Sequence, residues 1–104
     1  MYRRFLQNEN GIQNENLLIV GAGIYGMVAA EIAVDMRCFK KIDFVDDEKK
    51  VAGNGKEIVG TTEQLVELSG QYDNIIVAIG NPEKRLALLK KIEQETTYRI
   101  VTLV

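Results

Sequence analysis

Leu17-Leu18-Ile19-Val20-Gly21-Ala22-Gly23-Ile24-Tyr25-Gly26 is the stretch that decides the fold. Its first four residues are continuously apolar and are stopped by glycine, the pattern of a short parallel strand covered on both faces. The next six read Gly-x-Gly-x-x-Gly. In that spacing the first glycine permits a tight turn, the second lets backbone approach a pyrophosphate, and the third lets the following helix pack closely on the strand. From Ile24 to about Met36 the residues are apolar or small except Glu31 and Asp35, which stand at i and i+4 and share one solvent face. A helix therefore follows the loop, and its unpaired N–H groups and dipole point at whatever the loop holds.

Further along, Ile42-Asp43-Phe44-Val45 reads as a second strand ending in Asp46-Asp47, and the polar stretch from Glu48 to Lys56 as a loop. Asp46 lies ~20 residues past the glycine loop, where a dinucleotide site keeps an acidic residue for ribose. Glu57-Ile58-Val59 is a short third strand, after which Thr61 and Gln64 stand at capping-box spacing ahead of a short helix at Leu65, Val66 and Leu68. Asn74 to Ile79 is the strongest strand; Gly80-Asn81-Pro82 follows it, with Asn81 as helix N-cap and Pro82 at the first helical position. That helix runs to about Gln94, with Leu86, Leu89 and Ile92 at three-residue steps, and Tyr98 to Val104 closes the chain as a last strand. Residues 1–15, rich in Asn, Gln and Glu, read as an arm or short helix outside the core, leaving 16–104 as the domain. The alternation predicts an α/β, Rossmann-like open parallel sheet, ordered 3-2-1-4-5 with right-handed crossovers and helices on both faces. Ligands of such sheets bind at the carboxyl ends where strand order reverses, here between strands one and four.

Composition narrows the chemistry. At 104 residues there is room for one sheet with its helices, and 46% apolar with 27% charged residues is ordinary for a packed cytoplasmic protein. A formal charge of −2 without a basic stretch gives nucleic acid no footing. No apolar run is long enough to cross a bilayer and none resembles a signal peptide. With one cysteine and no histidine, the chain excludes an internal disulfide, Cys/His metal sites and His-dependent acid–base catalysis.

The candidate site residues carry two readings each. The glycine loop binds phosphate or serves packing alone. Asp46 and Asp47 accept from ribose hydroxyls or base N–H groups, or are solvated loop carboxylates. Asn81 caps a helix and also stands at the switch point as a pocket wall. Arg85, one turn on, reaches a phosphate or only solvent, and Tyr25 stacks on a ligand or covers the helix start. Cys38 has no activating neighbour in sequence and reads as a small apolar group, and Met27 and Met36 as core.

Four motifs in order, Ile19-Val20-Gly21-Ala22-Gly23, Phe44-Val45-Asp46-Asp47, Val59-Gly60-Thr61, and Ala78-Ile79-Gly80-Asn81 with Arg85, resemble the N-terminal domain of PglD/NeuD-type (sialic acid O-acetyltransferase-like) sugar O- and N-acyltransferases. The resemblance spans residues 17 to 104. It implies a domain that holds a UDP-sugar in bacterial surface-glycan biosynthesis, with acetyl-CoA and the catalytic histidine on a following left-handed β-helix that forms a trimer. Carried over, Gly21, Ala22, Gly23 and Gly26 stand near the diphosphate, Asp46 and Asp47 near the uridine, and Gly80 with Asn81 toward the sugar. The family loop often has glycine where this chain has Ile24. On this reading the chain alone has no catalytic residue and no cofactor, and an exposed edge strand allows weak self-association. The alternatives are an NAD-binding half-domain of a nucleotide-sugar dehydratase or other oxidoreductase, and a regulatory domain whose glycine loop binds nothing.

Overall fold

A computed structural model describes residues 2–4 and 15–102. The described strands are β1 (Tyr2–Arg4), β2 (Glu15–Val20), β3 (Phe39–Val45), β4 (Ile58–Gly60), β5 (Asn74–Val77) and β6 (Arg99–Thr102). The helices are α1 (Ile24–Met36), α2 (Leu65–Leu68), entered through a 3-10 turn at Thr62–Gln64, and α3 (Pro82–Glu95). All pairings between these strands are parallel, in the order β1-β6-β5-β2-β3-β4. Strands β2 to β6 therefore give the expected Rossmann-like 3-2-1-4-5 sheet.

The sixth strand, β1, lies on the stretch expected to be an arm or short helix. Residues 5–14 of that stretch, and 103–104 of the last strand, lie outside the described residues.

The period-two alternation of the central strand sorts its side chains onto two faces. Leu17 and Ile19, with Phe44 and Ile76, meet Ala29, Ala30 and Ala33 of α1. Leu18, Val20, Val45 and Ile75 meet Leu65, Leu88, Ile92, Tyr72 and Tyr98 on the opposite face. The four residues Leu17 to Val20 are fully buried, which places β2 at the centre of the domain. Because the buried residues of α1 are Gly26, Ala29, Ala30 and Ala33, with Met27 packed at the edge, its axis sits close to β2, and its larger side chains Ile24, Tyr25, Val28 and Ile32 face outward.

The three-residue step on α3 is corrected by the structure. Leu88 and Ile92, four apart, are the buried pair, whereas Leu86 is 55% exposed. At 3.6 residues per turn a four-residue step keeps side chains over the sheet, and Leu86 falls to the outer side. Strands β2 and β3 also begin earlier than their apolar runs. Glu15 enters β2 because its carboxylate takes Arg99 at 2.7 Å and the Asn74 amide at 2.9 Å. Lys40 and Lys41 enter β3 with exposed side chains.

Candidate functional site

The turn after β2 shows what each glycine does. Gly21 has φ +108°, and a Cβ there would lie 2.6 Å from the Ala78 carbonyl oxygen. A Cβ on Gly26 would run into the Gly21 carbonyl oxygen. Both positions bring backbone against backbone, which only glycine permits. Gly23, the residue before α1, differs: the nearest atom to an added Cβ is Lys49 Cε at 3.9 Å, an ordinary contact. Its freedom is not used for packing. The helix start carries no side-chain cap, so the first N–H groups of α1 open onto the space in front of Gly23.

That space is a cleft of about 240 Å³ at the carboxyl ends of β2, β3 and β5. The loop after β2 supplies Gly21, Gly23, Ile24 and Tyr25; the turn after β3 supplies Asp46, Asp47, Glu48 and Lys49; the loop after β5 supplies Ala78, Ile79 and Gly80, with Lys84 behind it. The strands on either side of β2 are reached by crossovers that leave in opposite directions, which is why the loops part here.

Asp46 holds the two halves of this cleft together. Its Oδ2 accepts from the Ala22 N–H and its Oδ1 from the N–H groups of Glu48 and Lys49, each at 2.8 Å. Burial pushes this carboxyl up, but the three N–H bonds and the nearby Lys49 charge outweigh burial and hold it below the usual carboxylate range. Asp47 turns the other way. It accepts from the Thr62 N–H at 2.9 Å and the Thr62 hydroxyl at 2.9 Å, and its Oδ2 lies 3.7 Å from Lys84 Nζ. The expected capping box is present at Thr61 and Gln64, with the Thr61 N–H donating to Gln64 Oε1 at 2.9 Å.

Of the residues expected from the sequence, Gly21, Gly23, Tyr25, Asp46, Asp47 and Gly80 meet in this cleft. Ala22 and Gly26 are buried behind it, the first as a donor to Asp46 and the second as the packing glycine. Asn81 Oδ1 caps α3 by accepting from the Lys84 N–H at 3.0 Å. Arg85 lies outside the cleft, with its guanidinium 3.4 Å from the Ile79 carbonyl. Tyr25 remains 64% exposed, with its ring laid over Gly80 so that a Cβ at residue 80 would meet Cε2 at 2.7 Å. Glu48, Lys49, Thr62 and Lys84 are polar lining groups that sequence reasoning missed. The signal for Lys84 was its position three residues after the cap Asn81, which puts it on the first turn of α3, at the mouth of the switch point.

Cys38 is buried and free, and burial pushes its thiol up, consistent with an inert apolar role. Among the described residues no group of three or more Cys, Asp or Glu side chains is arranged to hold a metal ion, and no helix is long and apolar enough to cross a membrane.

Comparison with known proteins places this geometry among relatives. The family described as PglD N-terminal domain matches residues 16–92. Two solved structures of the acetyltransferase domain of PglB from Neisseria gonorrhoeae FA1090 are similar. The one in complex with acetyl coenzyme A is 34% identical with a TM-score of 0.70, and the other 35% identical with a TM-score of 0.69. Each similarity covers 78% of this chain and 40% of the other, so the chain spans less than half the length of these relatives. No curated protein sequence matches the chain.

Proposed function

This chain belongs to the PglD N-terminal domain family, and on that premise we propose that its cleft binds a nucleotide sugar, a UDP-sugar, as the acceptor-holding part of a bacterial sugar acetyltransferase in surface-glycan biosynthesis. The observation that carries the reading is Gly23. Its side of the loop is open to the cleft while Gly21 and Gly26 are consumed by packing, so one glycine of the three is left for close approach of a ligand. The unpaired N–H groups at the start of α1 supply donors for phosphate oxygens, and Lys49 and Lys84 supply positive charge in the same cleft.

The acyl donor belongs elsewhere. Transfer of an acetyl group to a sugar amine or hydroxyl needs a base beside the acceptor and a place for the donor. The chain has no histidine, and Asp46 and Asp47 in the cleft are engaged with backbone N–H groups, Thr62 and Lys84. On this reading acetyl-CoA is bound by a part of the enzyme outside this chain.

An NAD-binding half-domain is the competing reading, and Asp46 argues against it. A dinucleotide site uses its acidic residue to take the ribose hydroxyls. Here one Asp46 oxygen already accepts two N–H groups and the other accepts one, so little of the carboxylate remains for a diol. We expect UDP or a UDP-amino sugar at ten times its dissociation constant to stabilise the domain by about 1.4 kcal/mol. For a domain of this size that raises Tm by several degrees, roughly 5–10 °C. NAD at equal concentration should leave Tm unchanged. A thermal shift with NAD and none with UDP would reverse the assignment.

A further inference from the structure

The charged groups lining the cleft do not simply add up to an anion site, since Asp46, Asp47 and Glu48 face Lys49 and Lys84. Asp46 is dispersed into three backbone N–H groups, whereas Asp47 and Lys84 form an ion pair at the cleft whose balance a ligand can alter. Their geometry is one-sided. Asp47 is fixed by two close bonds to Thr62, whereas Lys84 Nζ stands 3.7 Å from it, within ion-pair range but beyond hydrogen-bond distance. Lys84 is anchored only through its backbone N–H on Asn81, and its side chain is about half exposed. An ammonium carries three donors on a flexible stem, so it can turn from a loose carboxylate toward a phosphate at small cost. The glycine loop and Lys84 line the same cleft of about 240 Å³.

We propose that Lys84 is the specificity-determining residue of this cleft, reading the negative charge on a ligand's phosphates, and that Asp47 sets the threshold by competing with the ligand for the Lys84 ammonium. The inference rests on the nucleotide-sugar reading above. An uncharged nucleoside has nothing to draw Lys84 from Asp47, whereas a diphosphate outbids a single carboxylate. Asp47 thus acts against the ligand, although its position beside the glycine loop suggests a contact with the nucleoside.

The test is calorimetric titration of the 104-residue chain with UDP and with uridine, for the parent, Lys84→Gln, Asp47→Asn and the double variant. Lys84→Gln should weaken UDP about 10-fold, the size of one charge-assisted contact, and leave uridine within about 2-fold. Asp47→Asn keeps an oxygen for Thr62 and removes the competitor, so it should tighten UDP by about 3-fold or more. In the double variant the gain from Asp47→Asn should vanish, because Lys84 is no longer there to be released. Equal UDP affinity for Lys84→Gln and the parent, or weaker UDP binding by Asp47→Asn, would overturn the proposal. Failure of the parent to bind UDP would instead remove the nucleotide-sugar reading on which it stands. Both substitutions are at exposed side chains, and an unchanged circular dichroism spectrum and Tm would certify the fold; should Asp47→Asn fail that check, Lys84→Gln decides alone.

Discussion

Gly23→Val is expected to leave the domain folded and abolish UDP binding, whereas Gly26→Val is expected to destabilise the fold severely. The two glycines belong to one motif and differ only in what lies in front of their Cα atoms. At Gly26 an added side chain runs into the Gly21 carbonyl oxygen, and the obstacle is backbone that is itself pinned, because the Gly21 N–H bonds the Val45 carbonyl at 2.8 Å. Helix α1 would have to lift from β2, uncovering the core that Ala29, Ala30 and Ala33 form with Leu17 and Ile19. The cost is at least about 3 kcal/mol, the upper range for forcing extra groups into a packed core, in a domain whose total stability is of order 5–15 kcal/mol. At Gly23 the backbone has φ −87° and ψ −150°, which any L residue adopts, and the nearest atom is the flexible end of Lys49. The valine side chain then stands in front of the α1 N–H groups, where the proposed diphosphate must approach. Thermal unfolding should show Gly23→Val within about 1 kcal/mol of the parent. UDP titration should show at least a 100-fold loss, as steric exclusion of the phosphate removes several contacts together. A Gly23→Val domain that binds UDP normally would leave the glycine loop a packing device, and a stable Gly26→Val domain would mean that α1 has slack the structure does not show.

How much of this was legible follows from which residues speak through local rules. The glycine loop, α1, and the Asn81-Pro82 start of α3 are set by spacing and capping within a few residues, so the strand order and the position of the cleft could be read directly. The polar beginnings of β2 and β3 could not, because Glu15 is made acceptable in a strand by Arg99 and Asn74, which are distant in sequence. The same holds at the site. Asp46 was visible as an acidic residue at a ribose-like distance. Its hydrogen bond to the Ala22 N–H joins residues 24 apart and is a product of folding, not of spacing. Likewise Lys84 faces Asp47 only because β5 lies on one side of β2 and β3 on the other. Surface lysines carry no periodic signal, and two of the cleft's cations were therefore missed.

Asp43 carries the other large expected effect. It sits on β3 with its residue 5% exposed, facing the α3 side of the sheet, and is an ionisable group inside an otherwise apolar strand end. Tyr72 donates its hydroxyl to Oδ2 at 2.5 Å, Lys56 donates to Oδ1 at 2.9 Å and also to the Ile42 carbonyl, and Lys41 lies 3.4 Å from Oδ2. Burial pushes the Asp43 carboxyl up, yet the bonds from Tyr72 and Lys56 and the charges of Lys56 and Lys41 outweigh it, leaving the group below its usual range. Asp43→Ala takes away the acceptor of a buried phenol, while Lys41 and Lys56, both about half exposed, return to water at little cost. We expect a loss of about 2–4 kcal/mol, the cost of stranding one buried polar group together with removing its charged partner. That corresponds to a Tm lower by roughly 10–20 °C. The accompanying pH dependence has a definite sign. A carboxylate whose folded pKa is depressed stabilises the fold fully above its unfolded pKa of about 3.9 and gives that stability up as pH falls through the folded value. Asp43 and Asp46 are both depressed, so the domain should lose stability steadily below about pH 4, and Asp43→Asn should remove the Asp43 share of that slope. Urea unfolding at pH 7 and at pH 3 measures both effects, and the double variant with Tyr72→Phe should cost less than the two single changes together, since no orphaned hydroxyl remains. A loss under about 1 kcal/mol for Asp43→Ala at pH 7 would show that water reaches Tyr72 and that the cluster is no part of what holds β3 in place.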